Sequence, residues 1–255
     1  MKKNNLILLG LVLTFILTSF LVNHQQNTSN PIDDILAKTS NDKLPISIVL
    51  YDMDTRQGDA TEDKYFHKYK VITNVNAPQK RKTTTTDFLP INREDFVKNY
   101  ENMGMEVASK VMGTDGNIHL NKVPAPLGYA NYIGNTEYGQ WKTNNEGRSY
   151  WAFAGKYMFL STMFHVEDYP VYRDSYTNYR RNYHRQRAYY GSIGTRHRYG
   201  TGSRFSRNTA RSGFYASDRS SRARQAYKQH GSSRYFRSDN RSGYSFRSRG
   251  EYFGK

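Results

Sequence analysis

Leu44-Pro45-Ile46-Ser47-Ile48-Val49-Leu50-Tyr51-Asp52-Met53-Asp54 is the stretch on which the fold turns. From Ile46 to Tyr51 it is nearly continuous apolar sequence rich in β-branched residues, and it is too short for a typical helix before polar residues take over. Such a run reads as a buried strand. A buried strand needs neighbours, and the chain offers them close by. Lys64 to Asn76 (KYFHKYKVITNVN) alternates more loosely and reads as a second strand, joined to the first by the polar loop Thr55 to Asp63.

Further along, Phe96, Tyr100, Met103, Val107 and Val111 recur at spacings of 4, 3, 4 and 4, which predicts one apolar face on a helix running from Asn92 to Met112. Asn92 reads as its N-cap, Glu94 and Asp95 suit its first turn, and Gly113 reads as its stop. Thr114 to Asn117 then forms a turn, Ile118 to Val123 a short strand, and Pro124-Ala125-Pro126 a stiff connector. Tyr138 to Lys142 and Arg148 to Phe153 flank Asn144-Asn145-Glu146-Gly147 and read as a hairpin, with strand passing into helix near Ala152. Short strands mixed with one clear helix predict a small α+β domain over 43–165.

Tyr138-Gly139-x-Trp141 followed by Gly147-Arg-Ser-Tyr-Trp-x-Phe-x-Gly-Lys-Tyr157 resembles segments of uncharacterised membrane-anchored bacterial envelope proteins. The resemblance implies an envelope setting and no catalytic residue. Trp141, Trp151 and the tyrosines from Tyr129 to Tyr157 read as core rather than as a binding cleft, because Leu, Ile and Val become scarce after residue 123.

The N-terminus carries Lys2 and Lys3 ahead of an apolar run, Leu6 to Val22, whose 17 residues span about 25 Å as a helix. The run lacks a convincing small-x-small cleavage site, so residues 1–22 read as a single-pass anchor, with a cleaved signal peptide as the alternative. The positive flank stays in the cytoplasm. Everything beyond Asn23 is then extracytoplasmic, and residues 23–42 read as a polar tether.

The C-terminal third has a different composition. After His165 the chain holds 18 Arg and 2 Lys against 6 Asp and Glu, whereas upstream it holds 4 Arg and 14 Lys. Guanidinium is used there in preference to ammonium. Guanidinium pairs bidentately with phosphate or carboxylate and stacks on aromatic rings. Tyr169, Tyr172, Tyr176, Tyr179 and Tyr183 recur at 3, 4, 3 and 4, and Arg173, Arg180 and Arg187 repeat every seven. This predicts a Tyr/Arg-striped helix near 170–187, within a segment 166–190. Residues 191–255, rich in Gly, Ser and Arg without aliphatic period, read as a disordered tail.

These features give the functional expectation: a polycationic segment that binds acidic envelope polymers or lipid headgroups, or that mediates assembly with a protein partner or with copies of itself. Arg173, Arg180, Arg181, Arg185, Arg187, Arg196 and Arg198 supply charge, and Tyr176, Tyr179 and Tyr183 supply stacking faces. A nucleic-acid-binding tail facing the cytoplasm is the alternative and requires an inverted anchor. A cation-dependent receptor or an enzyme in the central domain is a third reading.

No metal or cofactor is expected. There is no cysteine, and no His pair has the i, i+4 spacing of a helical zinc site. His165-Val166-Glu167-Asp168 is the one compact His–carboxylate group and reads as a boundary feature. Asp52, Asp54, Asp59, Glu62 and Asp63 form an acidic cluster with Arg56, Gln57 and Asp63 where an EF-hand needs Asp or Asn, Gly and Glu. The cluster reads as a solvated loop that could also face the basic tail. G-x-S-x-G, Walker A and dinucleotide motifs are missing, so the chain is not expected to be an enzyme.

Overall fold

The computed structural model describes residues 30–58, 63–193, 196–209 and 213–230. Over these residues the chain is an α+β domain built on a six-stranded antiparallel sheet of order β3-β2-β1-β5-β6, with β4 also paired to β2. Its strands are β1 (Ile46–Arg56), β2 (Lys64–Thr73), β3 (Lys82–Thr85), β4 (Leu89–Ile91), β5 (Glu106–Met112) and β6 (Ile118–Asn121). The opening apolar run is the central strand. Ile46, Ile48 and Leu50 are wholly buried on one face, opposite Val71 and Tyr69 of β2.

A bulge at Tyr51 sets the fate of the acidic residues. The register slips between Leu50 and Asp52, so Met53 returns to the face of Leu50, while Asp52 and Asp54 turn to the other side. Without the extra residue, both aspartates would project into the core.

Helix α1 (Pro31–Lys38) and helix α2 (Arg93–Asn99) cover the face carrying Ile46 and Ile48. In α1 the Asn30 side chain accepts from the Ile32 N–H, and Ile32 and Leu36 are buried. Residues 31–38 are therefore part of the domain and not tether. In α2 the expected cap is present, with Asn92 Oδ1 accepting from the Asp95 N–H at 2.7 Å.

The predicted long helix does not continue. After a 3-10 turn at Tyr100–Asn102, Gly104 at φ 79° reverses the chain, and Val107 and Val111 lie in β5. Helical spacing placed these two valines on the face of Phe96. Their actual place is in a strand between β1 and β6, with Val107 at the register shift against β1 and Val111 opposite His119 of β6, where β-branched residues fit well.

A second layer packs on the opposite face of the sheet. It contains the hairpin β7 (Gly139–Thr143) and β8 (Ser149–Phe153), helix α3 (Phe159–Met163), helix α4 (Arg173–Asn182), the two-residue strands β9 (Ser192–Ile193) and β10 (Arg196–His197), and helix α5 (Arg204–Thr209). Its core is mainly aromatic: Tyr129, Tyr132, Tyr138, Trp151, Phe153, Phe164, Tyr179, Tyr189, Tyr199 and Phe205, with Ile72 contributed by the sheet. Buried tyrosines need partners for their hydroxyls, and here they partly satisfy one another. Tyr129 Oη and Tyr199 Oη are 2.8 Å apart, and the Tyr129 ring contacts Tyr176, Tyr179, Tyr189 and Tyr199. Gly128, at φ 89°, is required because a Cβ there would lie 2.3 Å from the Phe164 ring.

The domain therefore does not end at 165. The expected disordered tail is also corrected over 196–209 and 213–230, which fold onto both cores. Helix α6 (Arg219–His230) explains why. Strand β1 outlasts its neighbour, since β5 pairs with it only through Val49, and the second half of β1 would otherwise present an open edge. Helix α6 lies along that half: Arg222 Nε donates to the Thr55 carbonyl at 2.9 Å, and Ala223 and Ala226 are buried in the first core. Covering an edge strand removes an aggregation hazard. Sequence with so few aliphatics can fold because small alanines and the Phe214 ring, 1% exposed, suffice against an existing apolar surface. Residues 1–29, including the expected anchor, and 231–255 lie outside the described residues.

Candidate anion-binding cleft

Tail arginines have two different roles in the structure. Arg219 reaches Asp52 with Nη2 at 3.0 Å, and Arg222 reaches Asp54 at 2.7 Å, with Arg56 on the other oxygen of Asp54 at 2.9 Å. Both aspartates are buried. The solvated-loop reading of Asp52 and Asp54 is thus corrected, because the bulge and α6 enclose them, and the basic segment does meet them. Burial raises the Asp52 carboxyl above its ordinary value against the opposing pull of Arg219. At Asp54 burial acts the same way, but hydrogen bonds and charge from Arg222 and Arg56 outweigh it and leave the carboxyl below its ordinary value. These arginines are structural.

Other arginines line a cleft of about 2330 Å³. Its walls come from the start of α1, from α2 and the turn after it, from the exit of β6, from the chain between Tyr169 and Arg204, and from the end of α6. Gly200 makes the wall continuous. At φ 85° it has no room for a Cβ, which would lie 2.4 Å from the Glu101 carbonyl, the group that accepts from the Thr201 N–H.

Eight Lys and Arg line the cleft against four Asp and Glu, with Arg93, Lys98 and Lys122 on the same side as the acids. The acids lie toward α1 and α2 and are engaged. Asp33 pairs with Lys122, and Asp95 accepts from the side-chain amides of Asn30 and Asn92. Glu101 is pushed up by burial, with His197 and a Tyr227 hydrogen bond opposing the rise. The other lobe holds Arg148, Arg187, Arg196, Arg198 and Arg204. Among the described residues, no carboxylate is seen in an ion pair with Arg148, Arg196, Arg198 or Arg204.

Tyrosines position this lobe. The Arg148 guanidinium sits 3.5 Å from the Tyr172 ring centroid and Arg187 4.4 Å from that of Tyr183. Arg198 lies 5.5 Å from Tyr199 and 6.0 Å from Tyr169, with Nη2 donating to the Pro170 carbonyl at 3.1 Å. A guanidinium stacked on a ring keeps N–H groups at its rim for an anion, with less rotamer freedom to lose on binding. His197 stacks on Tyr190 with centroids 4.9 Å apart, and Tyr190 Oη donates to Asn102 Oδ1 at 2.9 Å.

The structure separates the expected site residues. Arg187, Arg196, Arg198 and Tyr183 line the cleft. Arg180, Arg181 and Arg185 are exposed on α4 and the turn after it, and Arg173, also exposed, lies 6.0 Å from the Trp141 ring. Arg180 and Arg185, after burial itself, help push His184 down to about 4, which keeps it neutral.

Tyr179 is 2% exposed, and Tyr176 is packed on Trp141 with its hydroxyl donating to the Ile133 carbonyl. Tyr179 is thus a core residue with no face for a ligand, and Tyr176 is partly buried against the same core, a correction with a clear cause. The helix is amphipathic as predicted, though shorter, and its tyrosine stripe is the buried side.

Arg148, Arg204, His197 and Tyr190 were missed because nothing local marks them. Only the fold brings the hairpin arginine to the segment after α4.

Among the described residues no cluster of three His, Asp or Glu is placed to hold a metal ion, and no helix is long and apolar enough to cross a membrane. The sequence matches no family model, no curated protein and no solved structure.

Proposed function

We propose that this is a membrane-anchored extracytoplasmic binding protein, not an enzyme, whose cleft takes acidic envelope polymers. The observation that carries the reading is the arginine lobe: Arg148, Arg196, Arg198 and Arg204 gather on the cleft with no carboxylate ion pair among the described residues, whereas Arg219 and Arg222 pair with Asp52 and Asp54. Placing like charges together costs stability, and binding of a polyanion relieves that cost while releasing the polymer's counterions. At about 2330 Å³ the cleft has room for more than a single small anion. Its tyrosine and histidine rings can pack on sugar rings or bases while the guanidiniums hold phosphates or carboxylates. The apolar run Leu6–Val22 supports the anchor, and a reporter fused after Lys255 is expected to be active only outside the cytoplasm. A cytoplasm-active fusion sinks the envelope assignment and favours nucleic acid as the partner.

Binding is tested with duplex DNA as a proxy polyanion across a salt series. Engagement of about five phosphates by the lobe gives a log-log slope near −4 to −5. Replacing Arg148, Arg196 and Arg204 together by alanine is expected to bring the slope to about −2. The same change at Arg180, Arg181 and Arg185, outside the cleft, leaves most of the slope in place. Equal losses from the two triple variants would mean that only diffuse charge matters.

A further inference from the structure

The sheet ends in an apolar ledge that its own core does not use. Met112, Ile118 and Leu120 are 47%, 44% and 48% exposed, and the register places them together: Met112 is opposite Ile118, and Leu120 is opposite Lys110. Alternation puts them on the face that also carries Ile46 and α1. Strand β6 is the edge of the sheet, and among the described residues no strand pairs with its outer side. An exposed cluster of large apolar side chains on an edge strand marks a contact surface.

We propose that this ledge rests in the interface of the bilayer that holds the N-terminal anchor. The inference depends on the anchor reading given above. What points to lipid is where the chain leaves the domain. Helix α1 lies beside the ledge, tied to it by Lys122 to Asp33 at its start and by Lys110 Nζ to the Leu36 and Thr39 carbonyls at its end. Only residues 23–29 separate Val22 from Asn30, a reach of at most about 28 Å when fully extended. The side of the domain bearing α1 is therefore held near the membrane surface, and the ledge is on that side. Lys122 is paired with Asp33, and Asp115 at the hairpin tip holds His119. Contact through the ledge then comes from insertion of apolar side chains rather than from charge. The arginine cleft contains neither Met112, Ile118 nor Leu120, so polymer capture and membrane seating use separate residues.

The chain has no cysteine, so single labels are clean. Full-length Leu120→Cys, labelled with bimane, is placed in phosphatidylcholine/phosphatidylglycerol vesicles with and without spin-labelled quencher lipid. Leu13→Cys reports the anchor. Met158→Cys, 64% exposed in the layer on the other face of the sheet, reports non-specific contact. The expected result is quenching by about half at Leu120→Cys, unchanged between low and high salt, strong quenching at Leu13→Cys, and little at Met158→Cys. Quenching at Leu13→Cys alone overturns the seated ledge and leaves the anchor standing. Quenching at neither overturns both. Equal quenching at Leu120→Cys and Met158→Cys shows that no face is preferred. Pyrene excimers from Leu120→Cys without lipid quenching assign the ledge to a second copy of the chain instead.

Discussion

Phe214→Ala is expected to destabilise the protein by about 3–5 kcal/mol, the range for deleting a fully buried aromatic ring. Phe214 lies outside any recognisable hydrophobic pattern in the sequence, in the tract Gly213-Phe-Tyr-Ala-Ser. In the structure it is 1% exposed against the first core and packed edge-on to Tyr215. Urea unfolding of full-length protein measures the effect. Removing the whole α6 region, by ending the chain at Thr209, adds the loss of the Asp52 and Asp54 partners and reopens the edge of β1. That variant is expected to aggregate or to fail to fold cooperatively. A Phe214→Ala protein with an unchanged unfolding midpoint, together with a stable truncated chain, would show that α6 is not part of the domain. Asp54→Ala should cost about 1–3 kcal/mol, because Arg56 loses its carboxylate partner and Arg222 keeps only Asp218. Asp54→Ala combined with Arg222→Ala should then recover part of that loss.

The second large effect is on pH dependence, and it comes from two buried groups with opposite signs. Glu106 lies at the seam between the layers, in the bulge between β1 and β5. Burial pushes its carboxyl up to about 7, opposed by Ser47, Ser109 and the Gly128 backbone. The Glu106 Oε2 and Tyr132 hydroxyl atoms are buried without hydrogen-bond partners among the described residues. The folded protein thus holds a proton that the unfolded chain releases near 4.5. The resulting stability is complete below about pH 4.5 and is lost as pH rises to about 7, by on the order of 3 kcal/mol.

His67 runs the other way. It is buried beneath Phe96, with Nδ1 3.0 Å from the Tyr69 hydroxyl, and burial pushes it down to about 3. Its contribution is complete above about pH 6.5 and is lost as pH falls through 3, by on the order of 5 kcal/mol. Between about 4.5 and 6.5 the two slopes oppose each other, so the wild-type contribution from this pair is nearly flat there. Glu106→Gln should unmask a stability that climbs with pH up to about 6.5. His67→Gln should unmask one that declines from about 4.5 to 7. Denaturant midpoints at a series of pH values check both slopes, and parallel curves for all three proteins would falsify the assignment.

The legibility of the fold varied with how local its causes were. The Ile46–Leu50 strand, its partner at 64–73, the Asn92 cap and the hairpin around Asn144–Gly147 were readable because apolar runs, capping residues and turn residues act over a few positions. The helix beyond Asn99 was misread. Spacings of 3 and 4 over five residues cannot exclude a 3-10 turn and a strand when the strand's partner is sixty residues upstream. The Arg/Tyr-rich segment was legible in chemistry but not in placement. An Arg-rich, Tyr-rich composition signals groups that stack and pair, yet it leaves the partners open. For Arg219 and Arg222 they are Asp52 and Asp54, for Arg148 it is Tyr172, and for Tyr179 they are other tyrosines.

The sequence by itself determined the α+β class, the buried first strand and the guanidinium bias after His165, because each follows from composition or short-range pattern. The tertiary structure alone decided that the chain through His230 belongs to the domain, that Asp52 and Asp54 are enclosed, and which arginines face a cleft. The physical reason is that low-complexity sequence has too little apolar surface to fold unaided, yet orders readily when an existing sheet supplies the other half of each contact. Whether Arg222 meets a carboxylate or Arg204 meets solvent is then settled by where the edge of β1 lies, which no window of the sequence contains.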